Sequence, residues 1–148
     1  MDDRTTTVRT VPTWYWIVAV VAVLWEAVGC YFYIVQVSMD SADLAALPPA
    51  QAEAFGAMAQ WQWSVFAIAV WSGLLGAIGL LLRKAWAYWL LLLSLIAAVI
   101  QYGYVFAATP ILETMPAGEA LGLPVTIVVI GIGLVWFAGM ARRRGWLS

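Results

Sequence analysis

Long apolar stretches alternate with shorter polar ones along this chain. The apolar runs cover residues 14–37, 61–82, 86–107 and 124–141. A helix that crosses a bilayer needs about 20 mostly apolar residues. Three of the runs meet that length, and the fourth, opened by Pro124, comes close to it. The expected fold is an all-α, four-helix transmembrane bundle forming a single integral membrane domain over residues 1–148. The first run is too long for a signal-peptide core, and no small-residue cleavage site follows it closely, so it is expected to stay as a helix.

The polar stretches predict smaller elements. Residues 38–60 contain no basic residue. Ser41 can cap a short helix that Pro48 ends, and Pro49 can open another with Glu53 in its first turns. Leu44 and Leu47, then Phe55 and Met58, fall at helical spacing. Two short amphipathic helices on the membrane face are the expectation. Residues 108–123 form the second long connection, with Pro110, Pro116 and Gly118 as turn formers. Arg83 and Lys84 make a tight turn, so the second and third spans are expected to pair antiparallel. Ser72, Gly73, Gly76 and Gly79 in the second span, and Gly131 and Gly139 in the fourth, let another helix come close. They are candidate packing positions, and candidate interfaces of a homo-oligomer.

Charge gives the orientation. All seven basic residues lie in the N-terminal tail, the 83–84 turn or the C-terminal tail. By the positive-inside rule both termini are cytoplasmic and both long connections face outward. Residues 1–13 read as a short tail, disordered or lying on the surface. The acidic outer connections either attract cations or simply complement the basic bias.

Composition agrees with the pattern and removes several chemistries. Of 148 residues, 65% are apolar and 10% charged, too few charges to cover a soluble domain. The chain has no histidine and one cysteine, Cys30. Histidine triads and His- or Cys-rich metal sites are therefore excluded. No nucleophile–base pair is visible, so an enzyme is not expected, nor a cofactor or a nucleic-acid partner. The expected surroundings are a lipid bilayer.

Glu26 is the main candidate for chemistry. It lies about 18 Å above the cytoplasmic end of its span at 1.5 Å per residue. A charged acid at mid-span costs about 2.5–3.5 kcal/mol on insertion scales, so burial is expected to favour its neutral form. Either Glu26 serves a substrate or proton site, or it joins helices by hydrogen bonding. Gln101, about 22 Å up the third span, is its expected partner. Trp25 and Trp71 lie near the same level and can line a pocket, where aromatic faces suit sugars or organic cations. Tyr33 shares the face of Glu26 and can cover the site from outside.

The run WYW…LWEAVGCYFY, the connection ALPPAQAEAF, the turn WSGLLGAIGLLLRKAWA, the stretch SLIAAVIQ and the tail RRRGWL together resemble a family of small four-helix bacterial membrane proteins. That family is commonly labelled "sugar transporter", and its function is not established. The likeness covers nearly the whole chain. It implies a bacterial inner-membrane protein that moves an unknown small solute. Members usually carry Asn where this chain has Glu26, which implies that a hydrogen-bonding group is wanted there. The rival expectation is a membrane assembly, accessory or lipid-interacting protein that transports nothing.

Overall fold

The computed structural model of the chain describes residues 10–148. Most of the expected N-terminal tail, with Arg4 and Arg9, lies outside the described residues. Four long helices carry the fold: α1 (Thr13–Val37), α4 (Gln60–Leu81), α5 (Ala87–Ala108) and α7 (Ala117–Arg143). All four are long and apolar enough to span a membrane. Three short helices, α2 (Ser41–Ala46), α3 (Pro49–Gly56) and α6 (Ile111–Thr114), lie in the two longer connections.

Two helix starts differ from the sequence expectation. The cap of α2 is Asp40, not Ser41. The Asp40 carboxylate accepts from the N–H groups of Ala42 and Asp43, and the Asp43 side chain accepts from the Asp40 N–H in return. This reciprocal arrangement satisfies more of the end groups than one serine could. The fourth long helix opens after Pro116, and Pro124 lies inside it. Glu119 breaks the apolar run before Pro124, yet the helix continues through residues 117–123, Gly118 included. Within α7, Pro124 has no N–H to give the Ala120 carbonyl, a loss that membrane helices tolerate.

α4 is the central element. It packs on α1 along one side and on α5 along another, and α5 packs in turn on α7. Inside the protein 44% of its span is buried, against 17% for α1. The helices turn their small or polar faces inward. On α1 the buried stripe is Tyr15, Ala19, Ala22 and Cys30, while Ile17, Val21, Leu24 and Val28 are exposed. This reverses the pattern of a soluble bundle. Lipid accepts large apolar side chains, so the seam between helices is left to small ones.

The glycines set the spacing. A Cβ added at Gly76 would stand 2.7 Å from Leu91 Cγ and 3.0 Å from its backbone N. One at Gly79 would stand 2.6 Å from the Trp86 ring and 2.9 Å from Ala87 Cβ. Gly131 and Gly139 in α7 lie against Leu95 and Tyr88 of α5. These close approaches are all made within the chain.

One end of the bundle is clasped by the C-terminal tail. The helix α4 stops in a Schellman turn: the Lys84 N–H reaches the Gly79 carbonyl, and Arg83 takes the left-handed position at φ 56°. The helix α7 stops the same way around Gly145 at φ 70°. The chain then turns back, so that Trp146 and Leu147 are buried. Ser148 N–H donates to the Arg83 carbonyl at 2.8 Å, and Ala85 N–H donates to the Ser148 carbonyl at 3.0 Å. Trp146 meets Trp14 and Tyr15 edge-on. The Tyr15 hydroxyl donates to the Leu80 carbonyl at 2.6 Å. Arg83, Lys84 and Arg142 to Arg144 all lie at this basic end. Asp40, Asp43, Glu53 and Glu113 in the connections, and Glu119 in the first turn of α7, lie at the other, acidic end.

Candidate functional site

Glu26 lies on the inward stripe of α1, half-buried against α4. Gly73 makes room for it. A Cβ there would meet the Glu26 carboxyl, with Cδ at 2.8 Å and Oε2 closer still, and also the Ser94 hydroxyl at 2.8 Å. An acid from α1 and a hydroxyl from α5 therefore come together over the bare backbone of α4. Ser94 Oγ donates to the Ala69 carbonyl at 2.6 Å. One turn above Glu26, Cys30 Sγ donates to the Val70 carbonyl at 3.4 Å. Ser72, buried in the same stretch, returns its hydroxyl to the Ile68 carbonyl of its own helix at 2.5 Å. Every basic residue among the described ones lies at the basic end, so no cation stands at this depth.

Gln101 does not join this cluster. It lies seven residues beyond Ser94, about 10 Å farther along α5 at 1.5 Å per residue. Nearby, Tyr104 of α5 meets Trp61 of α4 edge-on at 4.7 Å, and Tyr33 of α1 meets Phe66 of α4 at 5.2 Å. That register sets Gln101 at the level of Tyr33, not of Glu26. Counting heights from each helix's own first residue assumes that the helices start in one plane. Instead α1 reaches about 9 Å farther toward the basic end than α5. Gln101 is buried, and its Oε1 has no hydrogen-bond partner.

The two tryptophans take other positions. Trp71 is 42% exposed. It is two residues from Gly73, hence about 200° around α4 at 100° per residue, on the outer side. Trp25 is half-buried but about 100° around α1 from Glu26. Of the expected site residues, Tyr33 lines a cavity.

That cavity is a cleft of about 870 Å³ between the end of α1, the short helices α2 and α3, and the start of α4. Tyr33, Gln36, Phe55, Gln60, Trp63 and Ser64 are among its walls, and Ala67 and Ile68 form its inner end. The Phe55 and Trp63 rings are stacked, 6.3 Å between centroids. Ile68 is five residues from Gly73, about 7.5 Å along α4. Ile68 is also about 140° around α4 from Gly73 and 46% exposed, so this end of the cleft opens to the outside of the bundle. In the sequence Ser94 reads as a helix-packing hydroxyl near midplane rather than a site residue, and Tyr33 is the one cleft wall that reads as a site residue. Comparison with protein families, with characterised proteins and with solved structures finds no match for this chain.

Proposed function

We propose that this integral membrane protein is a small-solute transporter, or a subunit of one, working through Glu26. In this reading it lies in a bacterial inner membrane, with the basic end and both termini in the cytoplasm and the acidic end outside. One observation carries the proposal: an acid at mid-span, set in the Gly73 notch, with no cation at its depth among the described residues. A carboxyl without a cation partner in lipid is costly when charged, so residues of this kind are retained mostly for ion or proton pathways. The Gln101 Oε1, buried and without a hydrogen-bond partner, supplies a second polar group in the same half of the span. The likeness to the family labelled "sugar transporter" agrees with this reading.

The second reading is structural. The carboxyl fits the Gly73 notch closely enough to act as a helix-to-helix contact, in a protein whose task is assembly or lipid interaction. The carboxyl C=O infrared band in lipid nanodiscs, compared between wild type and Glu26→Gln, separates the two. Transport predicts a band that changes with bulk pH and disappears in the variant. A band insensitive to pH would favour the structural reading and set transport through Glu26 aside. In either case Glu26→Gln should keep the fold, because a neutral side chain of the same shape fills the notch. A large loss of folded protein would show a charged, paired carboxylate.

A further inference from the structure

The cleft at the acidic end has a chemistry of its own. Its walls supply three aromatic rings, Tyr33, Phe55 and Trp63, together with the neutral amides of Gln36 and Gln60. Among the described residues, none that lines it is basic. Asp40, Asp43 and Glu53 stand on or beside the short helices that form its outer wall, and Glu113 and Glu119 lie at the same end. Every basic residue among the described ones lies at the opposite end of the bundle, Arg83 being about 22 Å along α4 from the cleft wall Ile68. Such surroundings disfavour an anion and attract a cation.

The type of cation follows from the walls. A small hydrated ion needs a ring of oxygen ligands, and the acids lie outside the cleft lining. A cation wrapped in methyl groups loses little hydration on entering. It gains from the negative faces of aromatic rings, here Tyr33 and the stacked pair Phe55 and Trp63 rather than rings set around a central gap. We infer that this cleft binds an alkylated ammonium group through Tyr33, Phe55 and Trp63. The group is carried either by a soluble solute or by a lipid headgroup. The inference rests on the cleft alone and does not require Glu26 to exchange a proton.

Calorimetric titration of choline into protein-loaded nanodiscs of phosphatidylglycerol, with empty nanodiscs subtracted, tests it. Saturable binding is expected, at least about tenfold tighter than for the uncharged isostere with carbon in place of nitrogen. Phe55→Leu and Trp63→Leu should each weaken choline about five- to tenfold. Trp136→Leu, on the exposed face of α7 and outside the cleft, should leave binding unchanged. The infrared test of Glu26 reads the transport proposal separately, so the two failures remain distinct. Phe55 lies on α3 outside the buried core, so its variant keeps the fold if Trp63→Leu does not. Repeating the titration in phosphatidylcholine nanodiscs identifies the source. Binding suppressed there means that a lipid headgroup already fills the cleft, and equal binding means a soluble cation. No saturable binding, equal affinity for the isostere, or full affinity in Phe55→Leu would overturn the inference.

Discussion

A hydrogen in place of a methyl at Gly73 leaves the room that the Glu26 carboxyl and the Ser94 hydroxyl occupy. Gly76, one turn away, looks equivalent in sequence and is not. At Gly73 the obstructing atoms are the far ends of flexible side chains. At Gly76 they include the backbone nitrogen of Leu91. Side chains can rotate away, whereas backbone contact forces two helices apart. Gly76→Ala should therefore cost about 1–3 kcal/mol, the range for overpacking, read by reversible unfolding in detergent micelles. Gly73→Ala should cost less than about 1 kcal/mol while moving the Glu26 carboxyl band, because the acid must find a new position. Equal losses for the two would mean that the Glu26 side chain is as fixed as backbone. The depth of Glu26 within its own helix is legible from the apolar run around it. Its neighbours are not, because they depend on how far α1 slides along α4. That register is set by contacts such as Tyr15 to Leu80 and Cys30 to Val70, which join residues far apart in the chain.

At the scale of elements, the turn between α4 and α5 is built at some cost. Arg83 occupies the left-handed position that glycine usually fills. A non-glycine residue there costs roughly 1–2 kcal/mol. In return its Nε donates to the Trp146 carbonyl at 2.8 Å, and its own carbonyl holds the tail through Ser148. Arg83→Ala keeps the backbone cost and loses the side-chain bond, so it should destabilise by about 1–2 kcal/mol. Arg83→Gly loses the same bond but relieves the backbone, and should be about 1 kcal/mol more stable than the alanine variant. Thermal unfolding of both in nanodiscs checks this order, and the reverse order would mean that Arg83 is unstrained. The four spans were readable because hydropathy alone identifies them. The helix ends were less so: Pro116 and Pro124 are equally good openers by residue type, and the helix continues through the seven residues between them, Gly118 included. Nothing in the run Gly-Trp-Leu-Ser announces that it folds back and buries Trp146 and Leu147.

The whole molecule is polarised. The tail clasp, the α4–α5 turn and the start of α1 converge at one end with Arg83, Lys84 and Arg142 to Arg144. Arg142 lies over the rings of Tyr88 and Trp89, 5.0 and 5.5 Å from their centres. Aromatic rings and cations together suit the headgroup level of a bilayer. The opposite end carries the short helices, the cleft and the exposed acids. A molecule with one strongly basic end has one preferred way to insert, since basic connections resist translocation while acidic ones contribute little. Reagent access in intact cells tests this directly. On a Cys30→Ser background, a cysteine at Asp43 should react with an impermeant maleimide added outside, and one at Arg143 should react only after the cells are opened. The opposite labelling would place the cleft on the cytoplasmic side, and any solute it binds would then be drawn from within the cell. Labelling at both sites before opening would show insertion in two directions. The arrangement of charge would then not govern orientation, and a transporter made from this chain would have to pair oppositely inserted copies.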